Sequence, residues 1–117
     1  MMWSVEYYCD IHGKEPVANF IDSLSMELQT KILRYIDLLA RYGVLLKEPY
    51  TKQIRGKLRE LRVSDKSGNV RVIYFTYTGR KFILLHAFMK KMMKTPKTDI
   101  DIAERRMKDF MERLGGI

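Results

Sequence analysis

Arg62 and Arg71, followed by Lys90, Lys91 and Lys94, are the residues whose types and spacing could do chemistry here. The two arginines flank the turn cluster Asp65-Lys66-Ser67-Gly68-Asn69 on adjacent predicted strands, where both can project from the sheet surface. The three lysines leave the end of the following strand. Cleaving RNA without a metal requires a base near the 2′-hydroxyl and donors for the charge that develops on the phosphorane. It also requires a way to neutralise the leaving 5′ oxygen. Arginine presents a fork of donors matched to phosphate geometry. Lysine can serve as acid or base when neighbouring cations lower its pKa. Binding phosphate without catalysis, or solvating a surface, are the other readings that these residue types admit.

The elements that must position them are legible as periodicity. From Leu58, Leu61 and Val63 alternate with Glu60 and Arg62, as in a half-buried strand. Val70 to Tyr77 is β-branched and aromatic, and Phe82 to Phe88 is almost continuously apolar, which suits strands covered on both faces. Three consecutive antiparallel strands are therefore expected, with turns at Asp65–Asn69 and Thr78–Arg80. Upstream, Trp3, Val5 and Tyr7 alternate within a first strand, Met2–Tyr8. Pro16 opens a short helix, about Glu15 to Leu24. Ser23 or Ser25 caps a longer one that carries Leu28, Ile32, Ile36 and Leu39 and ends at Tyr42 before Gly43. Val44 to Gly56, which includes Pro49, is expected to be a loop. Thr95-Pro96 reads as an N-cap followed by proline at the first helical position. The last helix then runs to Leu114 on the seam Ile100, Ala103, Met107, Phe110, Leu114, with i,i+4 pairs Asp101–Arg105, Glu104–Lys108 and Asp109–Arg113. These elements make one α+β domain over residues 1–117. Its antiparallel sheet has about four strands, with two N-terminal helices and a C-terminal helix.

Charge is segregated along the chain. Residues 47–98 carry 14 Lys/Arg against 3 Asp/Glu, a net +11, whereas the segments on either side are slightly acidic. A localised field of that sign favours a polyanion, with nucleic acid ahead of a membrane because Lys90–Lys97 is short and broken by Pro96. Lys52, Arg55, Lys57, Arg59 and Lys97 belong to this block and are the expected RNA contacts.

Other chemistries find little support. No GxxxxGK[ST] loop, GxSxG elbow, HExxH or CxxC pair occurs. Only Glu48, Glu60 and Asp65 are acidic within the basic block, too few for the carboxylate cluster of a two-metal nuclease. Neither metal nor cofactor is expected. The lone Cys9 cannot form an internal disulfide, no apolar run is long enough to span a bilayer, and no leader is evident, so a reduced, cytoplasmic protein is expected. His86, inside an apolar run, reads first as a core histidine with satisfied hydrogen bonds. Tyr74 and Tyr77 read as packing, and Met89, Met92 and Met93 as filler or groove lining.

The order of a helix pair, LRELRV, NVRVIYF, FILLHAFMKKMMKTP and a closing helix resembles the HigB-like branch of the RelE toxin superfamily, its phage-derived members in particular. The likeness covers nearly the whole chain and is most specific in the KKMMKTP tail. Two departures stand out: Asn69-Val70 stands where an aromatic commonly precedes the arginine, and Ala87 replaces the usual glycine. The resemblance implies a RelE-like curved sheet flanked by helices and a ribosome-dependent mRNA endonuclease held inactive by a cognate helix-turn-helix antitoxin. It marks Arg62, Arg71, Lys90, Lys91 and Lys94 as the catalytic positions. A non-catalytic RNA- or ribosome-binding regulator using the same basic face is the alternative.

Overall fold

A computed structural model describes residues 2–78 and 80–115. Five strands form one sheet: β1 (Ser4–Tyr7), β2 (Thr51–Arg55), β3 (Leu58–Asp65), β4 (Gly68–Tyr77) and β5 (Lys81–Met89), in the order β1-β5-β4-β3-β2. Helices α1 (Pro16–Asp22) and α2 (Met26–Tyr42) cover one face, and α3 (Lys97–Phe110) covers part of the other. Among the described residues no helix is long and apolar enough to cross a membrane.

The apolar runs explain the layers. Val72, Tyr74, Phe82 and Leu84 pack beneath Val17 and Ile21 of α1 and Leu28, Ile32 and Leu39 of α2. The alternate residues Ile73, Phe75, Ile83 and Leu85 pack against Ile100, Ala103 and Phe110 of α3. Strands β4 and β5 are thus buried on both sides, as their near-continuous hydrophobicity requires. Ser25 caps α2 by accepting a hydrogen bond from the Leu28 N–H at 3.3 Å, with Glu27 in the first turn.

The sheet departs from the expected one in two ways. The segment 44–56, expected to be a loop, contains β2, which pairs antiparallel with β3. Its sequence TKQIR shows no apolar alternation because it is an edge strand in which only Thr51 is buried. Strand β1 lies parallel to β5, from Ser4 opposite Lys81 to Tyr7 opposite Leu84, so the sheet is mixed and has five strands rather than about four. At the start of α3, Pro96 is itself the cap residue. The Thr95 hydroxyl bonds elsewhere, as described below. Helical hydrogen bonding loosens to a π turn at Met111–Gly115, and Leu114 is exposed, so the apolar seam ends at Phe110. Of the three expected i,i+4 pairs on α3, Asp109–Arg113 forms at 2.7 Å, whereas Asp101 and Glu104 meet Arg55 of β2 instead.

Gly43 closes α2 with φ +58°, its N–H donating to the Leu39 carbonyl. A Cβ at Gly43 would lie 2.1 Å from Trp3 Nε1, and Trp3 is stacked on Phe82 with ring centroids 4.8 Å apart. Gly43→Ala therefore combines backbone strain of about 1–3 kcal/mol with overpacking of similar size. We expect the melting temperature to fall by about 10 °C, measured by thermal unfolding. An unchanged melting temperature would show that Trp3 is not fixed against this turn.

Candidate active site

Register places the site. On the sheet face that α3 partly covers, Lys52 pairs with Glu60, Glu60 with Ile73, and Ile73 with His86, forming one row across four strands. The next row is Arg62, Arg71 and Phe88. Arg62 and Arg71 are therefore directly opposite each other on β3 and β4, an arrangement that like charges normally disfavour. Sequence alternation dictates it, since the apolar neighbours Leu61, Val63, Val70 and Val72 are all claimed by the α1/α2 core.

Glu60 holds the pair together. Its side chain is buried, and Oε2 lies 3.7 Å from Arg71 Nε and 3.8 Å from Arg62 Nε. Oε1 accepts a 2.7 Å hydrogen bond from the Thr95 hydroxyl, which ties the basic tail across the carboxylate. Arg62 also reaches the exposed carboxylate of Glu48, at 3.9 Å. Arg71 is buried, its side chain 9% exposed. One guanidinium nitrogen donates to the Val70 carbonyl at 3.2 Å, while Nε is buried with no hydrogen-bond partner among the described residues. Burial holds the Arg71 pKa below the ordinary arginine value; Glu60 opposes that shift and Arg62 adds to it. Two guanidinium groups share one buried carboxylate, Glu48 meets Arg62 from solvent, and Lys52, Lys90 and Lys94 stand nearby, so the neighbourhood carries excess positive charge. An anion would complete it.

Two grooves adjoin at Arg62. One, about 340 Å³, is lined by Lys52, Glu60, Arg62, Lys90, Met93 and Lys94, among others. The other, about 450 Å³, turns around the edge of β3 and is lined by Arg62, Arg71, Ser64 and Tyr50 with Lys31 and Tyr35 of α2. Lys90 donates to the Met93 carbonyl at 2.7 Å. Its pKa is lowered by burial first and then by Arg71, Arg62 and Lys52, with Glu60 opposing.

The expected site residues divide accordingly. Arg62, Arg71, Lys90, Lys94 and Lys52 come together around these grooves. Lys91 is exposed on the tail, outside the groove lining. Arg55 is held by Glu104 at 2.7 Å and Asp101 at 3.3 Å, and Lys97 by Asp101 at 2.9 Å, so both are engaged at α3. Arg59 faces the opposite side of the sheet and bonds the Thr51 hydroxyl at 3.1 Å; Lys57 stands in the turn between β2 and β3. Met93 is a groove residue, whereas Met89 packs near Gly68.

His86 pairs with Asp99 at 2.7 Å and approaches Arg106 at 3.3 Å, its side chain only 13% exposed. Burial lowers its pKa, with Asp99 opposing and Arg106 adding. It is a satisfied histidine that fastens the first turn of α3 to β5. Glu60 and Thr95 are the site residues that sequence reasoning passes over. Glu60 is detectable: it lies two residues before Arg62 on the same strand and must share its face.

Comparison with known proteins follows the same lines. Residues 19–108 match the family described as phage derived protein Gp49-like (DUF891). Over 64 residues the chain is 39% identical to "Probable endoribonuclease HigB1" from Mycobacterium tuberculosis, in both strain CDC 1551 / Oshkosh and strain ATCC 25618 / H37Rv. That alignment covers 55% of this chain and 50% of each relative, so the chain spans about half the length of the curated relatives it matches. The chain belongs to the Gp49-like family, a toxin family of the RelE/HigB type.

Proposed function

We propose that this chain is the toxin of a type II toxin–antitoxin pair and an endoribonuclease that cuts mRNA on translating ribosomes in the cytoplasm without a catalytic metal. The observation that carries this reading is the arginine pair, Arg62 opposite Arg71, sharing the buried carboxylate of Glu60. In this reading Glu60 takes the proton of the RNA 2′-hydroxyl as its oxygen attacks the neighbouring phosphorus. Arg71 and Arg62 donate to the phosphorane oxygens, where charge builds. The bond from phosphorus to the 5′ oxygen then breaks, and Lys90 supplies that oxygen with a proton. The products are a 2′,3′-cyclic phosphate and a 5′-hydroxyl. Among the described residues no three of His, Cys, Asp and Glu gather to hold an ion. The likeness to HigB1 supports ribonuclease chemistry, and the family type supports a cognate helix-turn-helix antitoxin as partner.

Induced expression with mapping of mRNA 5′ ends tests the proposal. New ends should appear within translated reading frames and disappear when the antitoxin is co-expressed. Growth arrest with intact mRNA would contradict the nuclease reading.

The Lys90 role has a pH signature. A general acid must be protonated to act, and the Lys90 pKa lies below the usual lysine value of 10.5. The single-turnover rate should therefore fall as pH rises through that lowered pKa, giving an alkaline limb earlier than an ordinary lysine produces. Lys90→Ala should slow cleavage by about 10²–10⁴ and abolish the limb. An unchanged limb in that variant would remove Lys90 from proton transfer.

A further inference from the structure

We infer that the groove around the edge of β3 is a nucleobase subsite, in which Tyr35 and Tyr50 receive the base of a nucleotide adjoining the scissile phosphate. This inference rests on the RNA-cleaving reading and adds where a base goes.

The two grooves that meet at Arg62 differ in chemistry. The groove beneath the tail presents Lys52, Lys90 and Lys94 with the aliphatic and thioether surface of Ile54 and Met93, and no aromatic ring. The groove at the strand edge presents two rings beside two guanidinium groups. Tyr35 and Tyr50 meet edge to face, with centroids 5.4 Å apart, and Tyr50 is 36% exposed. Lys31 sits 5.9 Å over the Tyr35 ring and donates to the Ser64 carbonyl. Strand β2 begins only at Thr51, and the Arg62 N–H bonds the Tyr50 carbonyl at 2.8 Å, so pairing to this edge of β3 stops at Arg62, short of Ser64.

Arg71 orients the occupant. Together with Arg62 it lines this groove, so an anion held by the two guanidinium groups has its neighbours in the groove. A phosphate at Arg62 and Arg71 leaves one flanking nucleoside on the aromatic side and the other on the lysine side. Base–aromatic stacking suits the first, and charge attraction along the backbone suits the second. The volume, about 450 Å³, falls within the range of about 300–1,000 Å³ typical of small-ligand sites.

The test is a cycle of single-turnover cleavage on programmed ribosomes. The mRNA carries either its natural base or an abasic residue immediately 5′ or 3′ of the cut, and the protein is wild type, Tyr50→Leu or Tyr50→Phe. For the wild type, removing the base on one side should slow cleavage by about tenfold to a hundredfold. Tyr50→Leu should lose a similar factor on intact mRNA and show almost no further loss on the abasic one, whereas Tyr50→Phe should retain most of the difference between them. Melting temperatures check that each variant folds. Losses that multiply independently, or a Tyr50→Leu variant as fast as wild type, would overturn the subsite while cleavage itself stands. Failure of the wild type to cleave intact mRNA would overturn the nuclease reading and the subsite with it.

Discussion

Arg71→Ala should slow single-turnover cleavage by about 10²–10³, the usual cost of removing one preorganised donor from a developing oxyanion, while ribosome affinity falls far less. Its guanidinium is buried beside Glu60, and its Nε has no hydrogen-bond partner among the described residues. The site has therefore met much of the cost of holding a donor in place before substrate arrives. Arg71→Lys keeps the charge but loses the fork, and should recover only part of the rate. Lys52→Ala makes the contrast. Lys52 is exposed on the edge strand β2, so its loss should weaken association modestly and lower the salt dependence by about one counterion. Binding at two salt concentrations, beside the cleavage rate, separates the two effects. If Arg71→Ala loses binding and cleavage in equal proportion, the arginine is a phosphate anchor, and the non-catalytic regulator becomes the better reading.

Glu60→Gln should be comparably severe, because the change is nearly isosteric yet removes both the proposed base and the shared counter-charge. A loss of about 10²–10⁴ in rate is expected for a general base. Stability should fall less than in Glu60→Ala, which strands Arg71 in the sheet and costs on the order of 3–5 kcal/mol. Thermal unfolding beside single-turnover kinetics distinguishes these outcomes. A Glu60→Gln enzyme that cleaves at nearly the wild-type rate would leave Glu60 as a structural counter-ion only.

What the sequence made legible follows from where periodicity is strong. Strands β3 to β5 announce themselves because their apolar runs serve two cores at once, and α2 because Ser25 and Gly43 mark its ends. Strand β2 was hidden because an edge strand needs no apolar alternation, and TKQIR has none. The parallel placement of β1 is a long-range pairing with β5 that no local pattern encodes. For the site, Arg62 and Arg71 were visible as cations on predicted strands and Lys90 as one just past a strand end, and the register brings them together. Spacing from Arg62 puts Glu60 on their face, but its burial, which makes it the shared counter-ion, has no local signal in the sequence. Arg55 and Lys97 show the converse. Their charge is spent on Asp101 and Glu104, which lie distant in sequence from Arg55, whereas Asp101 is one helical turn from Lys97.

The most direct test of the account is the chemistry of the cut ends. Purified protein, programmed ribosomes and a labelled mRNA give fragments whose termini can be identified by enzymatic end-group analysis. Attack by the 2′-oxygen, with Glu60 and Lys90 moving the protons, predicts an upstream fragment ending in a 2′,3′-cyclic phosphate and a downstream fragment beginning with a 5′-hydroxyl. A 3′-hydroxyl and a 5′-phosphate would mean that water attacked instead, and would contradict the mechanism assigned to this groove.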